Sequence, residues 1–375
     1  MEKPRILVLG GYGHTGRLIA ELLLAETGAS LVLAGRNIEK AEATSAELNR
    51  KSGRARVTAT RVDASDISDL RQAFRSIDLV VVASSTSEFA RQVASAALEA
   101  RIDYFDVQYS THKAATLISM AAEIKAAGRC FITDGGFHPG LPAALVRFAA
   151  PLFDHLQSAN VGSVIKIDWA SLQLSRATVE EFVGEFMSFQ PICFQDGAWR
   201  EVGLLSMMVP EWMEFGYGFG RQYCIPMFME EMRPLPELYP ELQETGFFVG
   251  GFNWFVDWLL SPLLMLGLKI APQRSPALMA SWMDWGLRTF SKPPYGTLLK
   301  LEAQGIKDDQ PLQVEVSVYH QDGYVLTAIP VVACLLQYLD GSIRQPGLWF
   351  QALAVEPVRF MVDIERLGAE LKINK

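Results

Sequence analysis

A glycine-rich loop near the start of the chain has the residue types and spacing to bind a nucleotide. Gly11, Gly13 and Gly16 match the pattern G-x-G-x-x-G. The loop directly follows the apolar run Ile6–Leu9 and precedes a helical stretch. In this pattern Gly11 permits a tight turn, Gly13 lets the backbone approach a pyrophosphate, and Gly16 lets the helix pack closely on the strand. The helix N-terminus presents N–H groups and a partial positive charge to the phosphates. The loop predicts dinucleotide binding; the alternative is a structural turn without a ligand.

The residues at the end of the second apolar run help to distinguish NADP from NAD as the cofactor. An NAD site usually places an acidic residue there, whereas this chain has Arg36, whose guanidinium can hold a 2′-phosphate and stack on adenine. The sequence therefore favours NADP; the alternative is that Arg36 is a solvated loop cation. Asp63 is an expected adenine-side acceptor, and the small residues after the fourth run leave room beside the ribose and nicotinamide. The predicted cofactor-binding residues are Gly11, Tyr12, Gly13, His14, Thr15, Gly16, Arg36, Asn37, Asp63, Ala83, Ser84 and Ser85.

Candidate residues for proton transfer follow the later strands, because an open α/β sheet binds its ligand beyond the carboxyl ends of its strands. The side chains expected there are His14, Ser84, Ser85, Gln108, Tyr109, His112, Asp134 and His138. Reduction of a C=N, C=O or C=C bond needs a hydride donor and often a proton donor. Tyr109 and His138 are our first choices as catalytic residues. The alternatives are packing between domains for Tyr109, and a hydrogen bond that fixes the turn before Pro139 for His138.

The elements that must position these residues alternate regularly over the first 135 residues. Short apolar strands and amphipathic helices follow one another, which is typical of a parallel sheet covered on both faces. The predicted strands are Ile6–Leu9, Leu31–Ala34, Val57–Val62, Leu79–Ala83, Tyr104–Val107 and Cys130–Thr133. The predicted helices are Thr15–Ala25, Ile38–Lys51, Ile67–Arg75, Glu88–Ala100 and Thr111–Ala127. The sequence therefore predicts an α/β fold with a doubly wound parallel Rossmann sheet.

The pattern changes after Gly135 and predicts a second, α+β domain built on a mainly antiparallel sheet. Its predicted elements are a strand over Val161–Leu174, a helix over Thr178–Ser188, and a hairpin of Thr297–Ile306 with Leu312–His320. Two further helices are predicted over Thr327–Asp340 and Pro357–Leu371. We expect an NADP-binding domain at 1–135, a substrate or dimerisation domain at 136–326, and C-terminal helices at 327–375 that pack back on the first domain.

The stretch Phe247–Ala271 is unusually apolar, with Asp257 and Lys269 as its charged residues. Its length could span a bilayer, but Asn253, Asp257 and the mid-segment Pro262 weigh against a span. Three interpretations stay open: buried helices of the second domain or a dimer interface, a membrane-surface or lipid-substrate element, and a true span. We expect a homodimer with part of this stretch near its interface.

Composition excludes several classes of protein. With 375 residues, half of them hydrophobic, the chain can bury large cores and is not intrinsically disordered. Its net charge of −8 argues against nucleic-acid binding, which needs a cationic face. The four scattered cysteines lack metal-ligand spacing, so we expect no metal site and a reducing compartment. The N-terminus reads as a strand and not as a secretory signal, which favours a cytoplasmic location.

Taken together, the motifs resemble the saccharopine dehydrogenase-like oxidoreductases, which include saccharopine reductases, carboxynorspermidine dehydrogenases and trans-acting enoyl reductases. The segments concerned are GGYGHTG, LAGRN, VDASD, DLVVVASS, YFDVQYS, CFITDGGFHPGLP and the tail LWFQALAVEPVRFMVDIERLGAEL. The family's Tyr-x-Asp segment is matched by Tyr104-Phe105-Asp106, and its G-x-x-P-G-L segment by residues 136–141. Family members often have an acidic residue where this chain has His138, so the resemblance implies NADP-linked redox chemistry but not saccharopine as substrate.

The leading hypothesis is an NADP-dependent oxidoreductase that transfers hydride to or from a C=N, C=O or C=C bond of a small molecule. One alternative is a membrane-associated reductase of lipid-like substrates. Another is a dinucleotide-binding sensor without catalytic activity, since a glycine loop serves both an enzyme and a sensor.

Overall fold

The six apolar runs at the start of the chain form neighbouring parallel strands in the computed structural model. This structure describes residues 3–169, 190–202, 211–251, 253, 255–260, 263 and 276–375. The strands are β1 (Arg5–Leu9), β2 (Ser30–Gly35), β3 (Val57–Arg61), β4 (Leu79–Val82), β5 (Asp103–Asp106), β6 (Cys130–Thr133) and, from the C-terminal part, β15 (Gly347–Phe350). Their order is β15-β6-β5-β4-β1-β2-β3, with every pairing parallel. The predicted doubly wound Rossmann sheet is confirmed.

Helices connect these strands, because the spacing of apolar and polar residues in each connecting segment gives a helix one apolar and one polar face. The helices are α1 (His14–Glu26), α2 (Ile38–Ser52), α3 (Ile67–Ala73), α4 (Ala90–Ala100), α5 (Thr111–Ser119), α6 (Ala121–Ala126) and α7 (Pro142–Ala149). Short 3₁₀ turns occupy Phe74–Ser76, Ser87–Phe89 and Ala150–Leu152. The strands β1, β4, β5 and β6 are buried along almost their whole length, so they form the core of this sheet.

A second part of the chain joins the same sheet. It contains α10 (Gly323–Leu339), α11 (Gln351–Ala354), α12 (Pro357–Arg366) and strand β15. The buried carboxylate of Asp103, on β5, accepts hydrogen bonds from the Tyr338 hydroxyl at 2.7 Å, the Arg344 Nε at 2.8 Å and the Cys130 backbone N–H at 3.0 Å. Burial, with Asp103 beside it, raises the pKa of Tyr338 well above its usual range. This buried carboxylate therefore fastens the C-terminal part to the sheet.

The middle of the chain forms the predicted mainly antiparallel sheet. Its strands are β7 (His155–Lys166), β8 (Ile192–Gln195), β9 (Ala198–Glu201), β10 (Glu211–Glu214), β11 (Arg221–Pro226), β12 (Glu244–Gly250), β13 (Gly296–Lys307), β14 (Gln310–His320) and β16 (Glu370–Asn374). The order is β10-β11-β12-β7-β13-β14-β16, with β8 beside β12 and β9 beside β8. The β7–β12 pair is parallel and the other pairs are antiparallel. Shorter elements are α8 (Leu235–Leu238), α9 (Pro276–Phe290), the 3₁₀ turn Glu230–Met232 and the π-helical turn Val256–Leu260.

The chain divides into two compact units. Unit 1 comprises Met1–Ala144 and Tyr324–Gly368, and unit 2 comprises Leu145–Gly323 and Ala369–Lys375. Unit 1 thus extends to Ala144, where the sequence suggested residue 135, and resumes at Tyr324, where the sequence suggested 327. The last seven residues belong to unit 2 and not to the C-terminal helices.

Two helix predictions are wrong in detail. The helix predicted over Pro357–Leu371 ends at Arg366, because Gly368 has a φ of +117° that leaves the helical conformation, and strand β16 follows. The helix predicted over Thr111–Ala127 is two helices, α5 and α6, separated at Met120. The predicted helix Thr178–Ser188 and residues 170–174 of the predicted strand lie outside the described residues.

The apolar stretch at 247–271 is divided among different surroundings. Phe247 and Phe248 lie buried in strand β12, whereas Leu259 and Leu263 are each 50% exposed. Trp254 and the side chain of Trp258 lie outside the described residues. Among the helices that the structure describes, none combines the length and the apolar character needed to cross a membrane.

Candidate functional site

The glycine loop is a tight turn between β1 and α1. Gly10 has a φ of +84°, and its N–H donates to the Ala34 carbonyl at 2.7 Å. The Gly11 N–H donates to the Val8 carbonyl at 3.1 Å, and the Gly13 N–H to the Gly10 carbonyl at 2.9 Å. Helix α1 begins after Gly13, and within the described residues no side chain caps it. The first N–H groups of α1 are therefore available to an anionic ligand.

The three motif glycines differ in how much room surrounds them. A Cβ on Gly16 would lie 2.3 Å from the Gly10 carbonyl oxygen, and a Cβ on Gly11 would lie 2.8 Å from the Leu33 Cδ2. A Cβ on Gly13 would meet only the Gly10 carbonyl oxygen, at 3.2 Å. Gly11 and Gly16 are thus required by packing within the protein. Gly13 is the least crowded of the three, which agrees with a loop that lets a pyrophosphate approach its backbone.

The adenine side of the loop is organised by Tyr12. Its ring lies against Gly35, where an added Cβ would be 2.6 Å from the Tyr12 Cε1. Its hydroxyl accepts a hydrogen bond from the Asn37 N–H at 3.1 Å, and the Asn37 side chain caps α2 by accepting from the Lys40 N–H at 2.8 Å. Tyr12 and Asn37 therefore fix the backbone on either side of Arg36, whose side chain is exposed.

Asp63 lies close enough to Arg36 for the guanidinium charge to lower the pKa of its carboxyl group. Its carboxylate accepts hydrogen bonds from the Ser65 hydroxyl at 2.7 Å and the Ser65 N–H at 3.0 Å. These hydrogen bonds, together with the charges of Arg36 and Arg61, lower the pKa of Asp63. The structure therefore brings together the two residues predicted for the adenine side, Arg36 and Asp63.

The residues predicted beside the nicotinamide follow β4. The Ala83 N–H donates to the Leu9 carbonyl at 2.8 Å, and a Cβ on Gly10 would lie 2.7 Å from the Ala83 carbonyl oxygen. The Gln108 side chain donates from Nε2 to the Ser84 carbonyl. Ser85 is exposed and Ser84 half-buried. The loops after β1, β4 and β5 therefore meet at one edge of the sheet, which is where such sheets bind ligands.

Tyr109 and His138 stand in the loops after the neighbouring strands β5 and β6. Both side chains are half-buried, and the Phe137 ring meets the His138 ring edge to face at 4.0 Å. Burial lowers the pKa of His138 to about 3. The imidazole is therefore neutral at neutral pH, so it can donate or accept a hydrogen bond but does not supply a proton as an imidazolium.

His14 and His112, two other residues predicted at this edge, differ in their surroundings. The His14 ring stacks on Tyr324 at 5.2 Å, at the N-termini of α1 and α10. Sequence reasoning did not single out Tyr324, because it lies more than 300 residues from the glycine loop. His112 lies in the first turn of α5. Within the described ranges, no group of three His, Cys, Asp or Glu side chains is arranged to hold a metal ion.

A buried lysine is the main feature that sequence reasoning missed. The Lys113 ammonium, fully buried, donates to Asp106 at 2.6 Å, to Asp134 at 2.5 Å and to the Gln108 carbonyl. Burial opposes the charged form, but the two carboxylates outweigh it and raise the pKa of Lys113. The available signal was a pair of acids at the ends of two predicted parallel strands, since buried carboxylates need a cation or other donors.

Comparison with known proteins finds a family-model match over the first part of the chain and a shared fold over its whole length. Residues 6–132 match the model of the saccharopine dehydrogenase NADP binding domain. Apo saccharopine dehydrogenase (L-Glu forming) from Saccharomyces cerevisiae superposes with a TM-score of 0.71 at 15% identity, covering 99% of this chain and 100% of that one. This likeness shows a shared fold and confirms the predicted fold class.

Two further solved structures superpose with lower TM-scores. C. glutamicum DAP dehydrogenase in complex with DAP has a TM-score of 0.46 at 14% identity and covers 96% of both chains. A short-chain type dehydrogenase/reductase from Mycobacterium ulcerans has a TM-score of 0.30 at 18% identity and covers 35% of this chain and 66% of that one. Among curated proteins no match was found.

The different surroundings of Gly13 and Gly16 give a paired test of the loop. We expect Gly13→Val to lower the unfolding temperature less than Gly16→Val does, because residue 13 has extended backbone angles and its Cβ would lie 3.2 Å from the Gly10 carbonyl oxygen, against 2.3 Å at residue 16. Gly13→Val should raise the Kd of NADPH at least about 100-fold, or about 2.7 kcal/mol, because the side chain fills the pyrophosphate space. Fluorescence titration and thermal unfolding measure both; a folded Gly13→Val protein with wild-type affinity contradicts the cradle.

Proposed function

We propose that this chain, a saccharopine dehydrogenase-like protein by its NADP-binding domain and by its fold, is an NADP-dependent oxidoreductase of a small-molecule substrate. The reaction proposed is hydride transfer to or from a C=N, C=O or C=C bond. One observation carries the proposal: the open, uncapped glycine loop at the end of β1 lies at the same sheet edge as the loops of Tyr109 and His138. Bound NADPH would supply the hydride for reduction of the substrate, and bound NADP⁺ would accept it in the reverse direction.

NADP is proposed over NAD because of the residues at the end of β2. Arg36 is exposed and its neighbours are held by Tyr12 and Asn37, so its guanidinium is free to turn toward a 2′-phosphate. Asp63 already accepts two hydrogen bonds from Ser65, and it lies close enough for its pKa to be lowered by Arg36. These observations support a phosphate-binding role for Arg36 and an adenine-side role for Asp63.

The protein's own contribution to the chemistry is proposed for Tyr109 and His138. A neutral imidazole at position 138 can orient a polar substrate group by a hydrogen bond, because its pKa of about 3 keeps it uncharged. Tyr109 carries the hydroxyl from which a proton can pass to the reduced substrate. Where this chain has His138, family members often have an acidic residue, which when ionised is negatively charged and can only accept hydrogen bonds. A neutral histidine at this position therefore favours a substrate group without a positive charge.

The choice of cofactor is tested by Arg36→Asp. We expect this variant to weaken NADPH binding by about 100-fold while changing NADH binding less than about threefold, because a charge-assisted contact is replaced by repulsion of the 2′-phosphate. Fluorescence titration of both cofactors measures the ratio. Arg61→Asp is the matched control, since Arg61 also lies beside Asp63 but is paired with Asp69 at 3.0 Å. Equal affinity of the wild type for NADH and NADPH would refute the proposal.

Tyr109→Phe and His138→Gln separate an enzyme from a dinucleotide-binding sensor. We expect both variants to bind NADPH normally and to lower its turnover with imine, ketone or enoyl substrates by about 10²–10⁴-fold, the usual contribution of a proton-transfer group. Because His138 stays neutral, the wild-type rate should show no histidine inflection between about pH 5 and 8. Turnover measured by NADPH absorbance decides; unchanged rates in both variants, or no turnover of any substrate class by the wild type, count against these roles.

The exposed apolar residues of unit 2 support a homodimer. Trp282 and Trp285 on α9 are 52% and 53% exposed, and the Trp285 ring packs edge to face on Phe255 at 5.3 Å. A second copy of the chain is the proposed cover. A membrane surface or a lipid-like substrate is the second candidate, which the same exposed tryptophans favour.

The four cysteines are buried free thiols, which supports the proposed reducing, cytoplasmic location.

Sedimentation at several concentrations tests the dimer. We expect the wild type to sediment as a dimer without detergent and Trp282→Glu/Trp285→Glu as a folded monomer, because charged residues on an exposed face break an apolar interface without disturbing a core. Val358→Glu/Val362→Glu is the control, since these residues of unit 1 are 52% and 57% exposed. Flotation of the wild type with liposomes would favour the membrane alternative; a monomer that does not float would refute both covers.

A further inference from the structure

The loop after β6, which carries His138, has an unusual backbone. Asp134, Gly136 and Gly140 have φ values of +56°, +131° and +116°. Only Asp134 has a side chain, and a non-glycine residue in this region costs free energy unless its surroundings hold it. A loop with three such residues in seven positions needs contacts from other groups to keep one conformation.

One fixing group is the side chain of Gln351, which is fully buried at the start of α11. Its Nε2 donates to the Gly136 carbonyl at 3.0 Å and to the Gly140 carbonyl at 3.2 Å, and its Oε1 accepts from the Gly136 N–H at 3.3 Å. A Cβ on Gly140 would lie 2.5 Å from Nε2, so glycine is needed for this approach. A single amide therefore satisfies three backbone groups on both sides of His138.

The second fixing group is Lys113, which joins the two candidate catalytic loops. Its ammonium donates to Asp134, the first residue of the His138 loop, and to the Gln108 carbonyl, directly before Tyr109. Its third contact is Asp106, at the end of β5, which also accepts from the Thr133 hydroxyl at 2.7 Å. All three N–H donors of the ammonium are thus used, and both buried carboxylates have a cation.

We propose that Lys113 and Gln351 are positioning residues, which hold the Tyr109 and His138 loops in one fixed arrangement at the carboxyl edge of the sheet. The proposal rests on the proposed function of Tyr109 and His138, although neither Lys113 nor Gln351 touches the reacting atoms. Lys113 fixes the loops to each other, and Gln351 fixes the His138 loop from its other side. All the contacts that hold this arrangement come from the protein itself, as a site that needs little reorganisation requires.

The test uses the histidine ring itself and needs neither cofactor nor substrate. In Gln351→Met the amide contacts are lost and the loop loosens, so the half-buried His138 ring becomes more exposed to water and its pKa should rise by at least about one unit toward its ordinary value. NMR titration of the ring C–H signals measures it, and His138→Gln identifies the signal among the five histidines. NADPH affinity should change less than about threefold, because the glycine loop is untouched.

Two matched variants separate positioning from general stability. Gln337, another fully buried glutamine of unit 1, holds the Glu356 backbone at 2.8 and 3.2 Å, so Gln337→Met should lower the unfolding temperature without moving the His138 titration. Lys300 in unit 2 contacts two carboxylates and the Glu214 carbonyl, as Lys113 does its own partners. Lys113→Met should therefore move the His138 titration, and Lys300→Met should not.

A measurement on the wild type keeps the proposal testable if the buried variants fail to fold. The Gly136 N–H, which donates to Gln351, should exchange with solvent deuterium as slowly as the core amides of β6. Fast exchange at Gly136, or an unchanged His138 titration in folded Gln351→Met, overturns the positioning role. If one of these variants loses NADPH turnover, that result bears on the proposed function alone. Neither the His138 titration nor the exchange of the Gly136 N–H depends on turnover.

Discussion

Lys113 must find partners for three N–H donors in an interior that excludes water, and Asp106 and Asp134 must find donors for two carboxylates in the same place. Neither requirement can be met alone, because an isolated buried charge costs several kcal/mol. Together they are met by one cluster at the ends of β5 and β6. The cost of breaking it explains how the two loops, one of which has three residues at positive φ, can keep a fixed position. The candidate catalytic residues depend on those loops.

The dinucleotide side of the site depends on close approach instead of charge. Gly16 lets α1 touch the turn at Gly10, and Gly35 lets the Tyr12 ring lie across the end of β2. Gly13 is the least crowded of the three motif glycines, since its Cβ would lie 3.2 Å from the Gly10 carbonyl oxygen. The Cβ distances therefore distinguish the two glycines that packing requires, Gly11 and Gly16, from Gly13, for which we propose a ligand-binding role. The uncapped start of α1 completes the site, since its N–H groups need an acceptor.

The shared fold does not by itself identify the substrate. At 15% identity the yeast enzyme shows how this chain folds, and position 138 holds a neutral histidine whose chemistry differs from that of a carboxylate. If the exposed tryptophans of α9 bind an apolar ligand, that ligand differs in chemical class from an amino acid. Proposals about the substrate therefore depend on the properties of His138 and of α9, not on the resemblance.

The sequence by itself determined the features that depend on local pattern. Six apolar runs became six parallel strands, the spacing of Gly11, Gly13 and Gly16 located the turn, and the two runs around Asp308-Asp309 became a hairpin with both turn residues at positive φ. Such features are predictable because periodicity, β-branching and glycine act within a few residues of the chain.

Only the tertiary structure decided the contacts between distant residues. Gln351 reaches Gly136 across 215 residues, and Asp103 reaches Arg344 across 241. Leu371 was assigned to a helix because it continued an apolar face, yet it pairs with Val318 in a strand. Likewise, Lys113 reads as an ordinary surface lysine until the fold surrounds it with two carboxylates. A side chain's partners are set by how strands and loops come together, and no local pattern encodes which distant group will complete a buried charge.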